Sequence, residues 1–209
     1  MAARKQDRLR ESLAHEAAKI IVAEGVHDYQ KAKRKACERL NALRGGSLPS
    51  NLEIESAILS FLRTYLPGHE RTLWGLRCTA LTVMNWLVRF SPYLTGPVLE
   101  GTAGADTPIS IHVSCDCLEE VMTVLECSGM EVKVEERRFR QNRHYACLPV
   151  LGFSCQGHEI EIMIFSLRQR HQPPKSKTCN RSAQRMNTKA LATLLDQTRL
   201  DMTPARTGI

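Results

Sequence analysis

The chain has 209 residues, 43% of them hydrophobic and 24% charged, which is the make-up of a folded protein with its own core and excludes wholesale disorder. No run approaches the roughly 18 uncharged apolar residues that a membrane helix needs, and residues 1–19 hold no apolar stretch suited to secretion, so a cytoplasmic protein with no membrane partner is expected. The formal net charge of +7 admits nucleic acid or acidic partners without choosing between them.

Apolar residues at helical spacing predict helices over 7–24, marked by Ala18, Ile21 and Val22, and over 28–43, marked by Ala32, Ala36 and Leu40. Gly25 breaks the two apart and Asp28 is placed to cap the second. The run Gly45, Gly46, Ser47, Leu48, Pro49 and Ser50 signals a turn that sets this helical arm off from the rest. Ser50 or Asn51 then caps a third helix, in which Ile54, Ile58, Phe61, Leu62 and Tyr65 recur at three- and four-residue steps up to Pro67. A fourth helix is predicted over 70–90, with Leu73, Ala80, Leu81, Met84, Leu87 and Val88 inward; Gly75 weakens it by about 1 kcal/mol relative to alanine, and Ser91 and Pro92 end it.

From there the period changes to two. Residues 93–99 read as a buried strand, and Ile109, Ile111 and Val113 alternate with Ser110 and His112 in a second. Residues 118–127 return to helix, with Leu118, Val121, Met122 and Leu125 on one face. Val132 and Val134 mark a third strand, and 147–153 with 159–165 flank Gln156 and Gly157 as a hairpin. Residues 171–187 are a basic, polar loop, and Thr188 caps a last amphipathic helix through Ala190, Leu191, Leu194 and Leu195. Strands adjacent in sequence, with helices before and between them, predict an α/β chain of the α+β type: a mixed sheet with helices on one face. The expected organisation is a helical arm over 1–46, a core domain over 47–167, and a basic loop with a C-terminal helix packing on the core over 168–209.

The eight cysteines are expected to be thiols. Cys115 and Cys117 form a Cys-x-Cys pair without a second pair at closed spacing, so zinc is not expected. Much of the positive charge lies at the two ends, in Lys31, Lys33, Arg34, Lys35 and Arg39 and again between Arg168 and Arg185. At helical spacing the first run projects around much of a helix, which is the pattern of a solvated surface more than of a phosphate-binding stripe.

The most informative stretch runs from Gly96 and Pro97 through Gly101, Thr102, Ala103, Gly104, Ala105 and Asp106 to Pro108, Ile109, Ser110, Ile111, His112 and Val113. It resembles, without gaps, the signature of the DNA polymerase beta superfamily of nucleotidyltransferases, particularly its small bacterial members, in a form with a degenerate active-site motif. That signature is a strand, a Gly-Ser pair opening a short helix, a Gly-Thr-Ala turn and a second strand carrying Asp-x-Asp. The resemblance covers about residues 80–165 and implies a nucleotidyltransferase-like core.

It also implies roles. In such domains the Gly-Ser amides and hydroxyl hold a nucleotide triphosphate, and two aspartates with a third carboxylate on a later strand bind two magnesium ions. In this chain Gly96 keeps its place, but Pro97 replaces the serine and has neither hydroxyl nor amide donor. The aspartate positions fall on Pro108 and Ser110, which offer a hard cation no charge. Glu161 stands where the third carboxylate would, with Glu159 two residues earlier on the same strand face. The resemblance thus assigns Gly96, Gly101 and Thr102 to nucleotide binding, Asp106, Ser110 and Glu161 to any remaining catalysis, and Glu159 and Glu161 to any metal. Asp106 and Asp116 could substitute as ligands only in a shifted register, and His112 and His158 are candidate bases or structural residues.

Three functional readings follow. The first is a catalytically degenerate nucleotidyltransferase-like protein that binds a nucleotide, RNA or a protein partner, with nucleic-acid contact weak and non-specific. The second is an active nucleotidyltransferase with rearranged ligands, using magnesium and a nucleotide. The third is a structural interaction protein, or homo-oligomer, that assembles through the helical arm. The missing carboxylates disfavour the second, and the lack of aromatics among the basic residues disfavours single-strand stacking.

Overall fold

The computed structural model describes residues 2–26, 28–42, 48–141, 144–169 and 184–202. These separate into two compact units, 2–69 and 70–202.

The first unit is three helices. The helix α1 (Ala2–Glu24) ends at Gly25, whose φ of 65° is left-handed. Asp28 caps α2 (Tyr29–Arg39), its carboxylate accepting from the amides of Gln30 at 2.8 Å and Lys31 at 3.1 Å. Ser50 caps α3 (Asn51–Tyr65) through a reciprocal capping box with Glu53. The four-residue stripe of Ile54, Ile58 and Leu62 buries with Leu13, Ala17 and Ile20 of α1 and Ala32 and Ala36 of α2. The expected division after residue 46 falls in the undescribed stretch 43–47. By packing, α3 belongs with the arm, so the boundary of the first unit lies at His69. The physical reason is that α3 presents its apolar stripe to α1, a choice of partner that the stripe alone does not reveal.

The second unit opens with α4 (His69–Trp86) and a single 3₁₀ turn at Val88–Phe90, so the helix predicted to residue 90 ends earlier. Six strands follow: β1 (Tyr93–Thr95), β2 (Ile109–Ser114), β3 (Lys133–Gln141), β4 (His144–Cys155), β5 (His158–Phe165) and β6 (Met186–Asn187). Between them lie α5 (Pro97–Glu100) and α6 (Leu118–Cys127), and α7 (Thr188–Met202) comes last. The sheet order is β3-β4-β5-β2-β1-β6. The β2–β5 pair is parallel and the others are antiparallel, giving the mixed sheet expected, with β2 interior and next to β1.

Three local expectations need correction. The strand predicted over 93–99 stops at Thr95, because Gly96 takes φ 71° and ψ −157° and Pro97, lacking an N–H for the ladder but suited to the first turn of a helix, opens α5. The loop predicted over 171–187 lies outside the described residues up to 183, and its end is the short strand β6. The side chain capping α7 is Asn187, which accepts from the Ala190 amide at 2.8 Å, and not Thr188. The β4–β5 hairpin does turn at Gln156 and Gly157, both with positive φ (53° and 80°), the mirror-image turn that suits twisted strands.

One sheet face carries Ile109, Ile111 and Val113 of β2, Ile160, Ile162 and Ile164 of β5, and Leu151 and Phe153 of β4. It packs on Leu76, Ala80, Val83 and Met84 of α4, Val121 and Leu125 of α6, and Leu191 and Leu195 of α7. Helices therefore cover this face, as predicted. Arg77 of α4 donates to the carbonyls of Val98 at 3.1 Å and Leu99 at 3.2 Å, satisfying the open end of α5.

Candidate functional site

The alternation that buries Ile109, Ile111 and Val113 sends Ser110, His112 and Ser114 to the opposite face, and the same holds for Glu161, Met163 and Phe165 on β5. The parallel register sets Ser110 directly beside Glu161 and His112 beside Met163. Gly96 closes on the same spot from the end of β1: a Cβ built on it would lie 3.9 Å from both Cβ and Oγ of Ser110. Three of the residues expected from the sequence thus converge, Gly96, Ser110 and Glu161. Gly152, the β4 residue in register with Glu161, has open space above it, so the face is not filled there.

The Glu161 carboxylate is occupied by a cation from the protein itself. Arg137 of β3 places Nη1 2.7 Å from Glu161 Oε2, and Nη2 3.2 Å from Glu135 Oε2. The two carboxylates hold the guanidinium above its ordinary range, Glu161 contributing most. A delocalised charge therefore stands on the carboxylate that the resemblance assigns to a metal.

Farther along the same face the surroundings are dry. His112 is 5% exposed, its ring tilted against Phe165 at 4.9 Å between centroids. The Arg185 guanidinium lies over the rings of Tyr93 at 5.7 Å and Phe165 at 5.6 Å. Burial strips the imidazolium of water and Arg185 repels it, which pushes the His112 pKa down to about 3. Its Nδ1 is buried without a hydrogen-bond partner among the described residues. An imidazole so far below neutral in pKa is a poor general base.

The remaining sequence candidates do not join this cluster. Asp106 is exposed in a turn that Thr107 holds, its hydroxyl oxygen accepting from the Gly104 amide at 2.9 Å. The amides of Gly101 and Thr102 both donate to the Pro97 carbonyl, at 2.9 and 3.0 Å, so they close α5 and are not available to a ligand. Asp116 lies six residues beyond Ser110, roughly 20 Å along a strand, and its Oδ1 accepts from the Leu167 amide at 2.9 Å. Glu159 is exposed and pairs in register with Ser154. Among the described residues no group of three or more His, Cys, Asp or Glu side chains is placed to hold a metal ion.

The Cys-x-Cys pair has local acceptors: Cys115 Sγ donates to the Cys117 carbonyl at 3.0 Å, and Cys117 Sγ to Glu119 Oε2 at 3.1 Å. The Glu119 carboxylate pushes the Cys117 thiol up, away from the thiolate a metal would need. A cleft of about 330 Å³ opens near the far ends of β2 and β5, lined by Cys115, Asp116, Cys147, Ser166 and Gln169 among others. It includes none of Gly96, Ser110 or Glu161, so the cluster on the sheet face and this cleft are separate features.

Sequence reasoning missed Arg137 and Glu100, and it reads Arg185 only as part of the basic run near the C-terminal end. Arg137 was findable in principle, since the alternation through Lys133, Glu135 and Arg137 puts all three on one face of β3. Arg185 stands just before the unpredicted strand β6. Glu100, half-buried in α5, has its carboxyl pushed up by burial alone, which no spacing rule announces. No family model, curated protein or solved structure matches the chain.

Proposed function

We propose that this protein is a catalytically degenerate nucleotidyltransferase-like protein that binds a nucleotide, or a phosphate-bearing stretch of RNA, without a metal ion. The observation that carries this reading is the meeting of Gly96, Ser110 and Glu161 on one sheet face with Arg137 bonded to Glu161. In that arrangement the positive charge near a phosphate comes from a side chain. The chemistry of two-metal transfer needs several anionic oxygens around each ion, whereas here Glu161 is the one carboxylate kept at the positions of the signature, and its oxygen is already bonded to Arg137, which Glu135 shares.

The test is a calorimetric titration with ATP in magnesium and again in EDTA, together with an assay for pyrophosphate release. Binding that is weak and unaffected by magnesium, with no release, is the expected result. Magnesium-dependent affinity near the micromolar level, about −8 kcal/mol, abolished by Glu161→Gln, would overturn the reading and establish an active enzyme with rearranged ligands.

A further inference from the structure

We propose that the row of Ser110, Glu161, Gly152 and Lys133 binds a ribonucleoside 5′-phosphate, with the ribose hydroxyls on Glu161, the sugar over Gly152 and the phosphate on Lys133. This rests on the nucleotide reading above and fixes how the ligand lies on the sheet face.

Nothing in the backbone of Gly152 demands a glycine. It pairs with Lys133 of β3 on one side and Glu161 of β5 on the other, and both ladders run through it in unbroken register, so it marks no bulge. It is not among the glycines of positive φ. A glycine inside a strand weakens it and packs nothing, and where pairing is regular on both sides the remaining use is the close approach of a ligand or of another backbone. An added Cβ would meet nothing within 4 Å, so no other backbone fills the gap.

The register surrounds this gap with complementary groups. Ser110 stands beside Glu161, Glu161 beside Gly152 and Gly152 beside Lys133, and residues in register share one side of the sheet. Neighbouring strands lie about 4.8 Å apart, so the row runs roughly 14 Å with Gly152 as its floor. Lys133 is exposed and pairs with no carboxylate among the described residues. Arg137, on the same face, is held by Glu135 and Glu161. A phosphate therefore finds its free charge at Lys133.

At the other end of the row the chemistry is reversed. Arg137 takes Oε2 of Glu161 and leaves Oε1 as an acceptor, beside the Ser110 hydroxyl, which can donate or accept. A carboxylate repels a phosphate but accepts from ribose hydroxyls, as acidic residues do in dinucleotide sites. Pro97 has no N–H, and the amides of Gly101 and Thr102 are spent on its carbonyl, so none of the three holds a phosphate at the end of β1. The ligand is thereby oriented, hydroxyls toward β2 and β5 and phosphate toward β3.

NMR titrations of the full chain with adenosine 5′-monophosphate (AMP), adenosine and 2′,3′-dideoxy-AMP, all in EDTA, test the site, with circular dichroism to verify folding. AMP should bind about tenfold tighter than either analogue, since each lacks a contact to a charged group. Lys133→Gln should weaken AMP about tenfold and leave adenosine unchanged, while Gly152→Val should weaken all three ligands. Lys133 is exposed and Gly152 has open space above it, so both variants keep the fold. AMP binding that both variants leave unchanged overturns this site while the nucleotide reading stands. Equal losses for AMP and adenosine in Lys133→Gln overturn the phosphate contact, and equal affinity for AMP and its dideoxy analogue overturns the ribose contact. No binding of AMP at roughly 10 mM overturns the site and the nucleotide reading together.

Discussion

Arg10 and Glu53 meet on a single oxygen: Nε and Nη2 of the arginine lie 3.1 and 2.8 Å from Glu53 Oε2, which also accepts the Ser50 amide at 2.6 Å. The capping contact that starts α3 is thereby also the contact that ties α3 to α1. These donors, Arg10 first, hold the Glu53 carboxyl down at about 2.

Glu53 thus contributes stability that is fully present above its ordinary pKa of 4.5 and is lost as pH falls through about 2. Glu53→Gln should lower stability at neutral pH and flatten the acid limb of the first unit between those values. The side chain is 42% exposed, so screening limits the loss to about 1 kcal/mol. Urea titrations at pH 7 and pH 3 measure it, and a stability gap between wild type and Glu53→Gln that is equal at the two pH values would refute this linkage.

His112 predicts a different window in the second unit. Its folded pKa of about 3 lies below the ordinary 6.5, so the unfolded chain takes up the proton first and stability falls as pH drops from 6.5 toward 3. The slope is at most about 1.4 kcal/mol per pH unit for one proton. A His112→Phe variant should lose this slope while Glu53→Gln retains it. Thermal melts at pH 7, 5 and 4 compare the two, and parallel curves for wild type and His112→Phe would refute the assignment.

Gly96 occupies φ 71° and ψ −157°, a region closed to residues with a Cβ, although a Cβ would have 3.9 Å of clearance to Ser110. Gly96→Ala should therefore cost about 1–3 kcal/mol from backbone strain and not from collision. Denaturation midpoints read the loss. A substitution costing nothing would mean that the turn from β1 into α5 relaxes freely.

The basic run of α2 is less available to phosphates than its sequence suggests. Lys35 pairs with Glu24 at 3.3 Å, Arg39 pairs with Glu16 and Glu24, and Lys33 is buried at 8% exposure, where the loss of water pushes its ammonium pKa down. The run reads as a solvated face, yet Lys33 is buried, as the stem of a long basic side chain can be. Lys31→Gln with Arg34→Gln should reduce any RNA binding equally for unrelated sequences, and the binding should fall steeply with salt. Lys33→Gln should instead cost about 1 kcal/mol of stability. Tight binding of one RNA at physiological salt, with scrambled controls inactive, would contradict the non-specific reading.

Periodicity located most elements because it reports which face of a segment is apolar. It placed α6 at 118–127 and the turn at Gln156 and Gly157 where they are found. It cannot report which surface that face meets, and so it groups α3 with the core domain, whereas Ile54 and Ile58 pack on the arm. Nor does it weigh backbone special cases, so it runs the strand through Gly96 and Pro97, where α5 begins. The meeting of Ser110 and Glu161 was legible only through the resemblance. The Arg137 contact needs the register of three strands at once, and neighbours in sequence carry no trace of it.

The parallel pairing of β2 with β5 joins positions 51 apart (161 − 110). Strands β3, β4 and β5 are neighbours both in sequence and in the sheet and can pair early, whereas closing the loop that brings β5 beside β2 costs chain entropy before any contact rewards it. During synthesis and refolding the meander thus has a route to form while Glu161 is still far from Ser110. The cluster on the sheet face comes into being only at the closing step, so ligand binding should appear with the slowest phase of refolding, after most strand signal has returned.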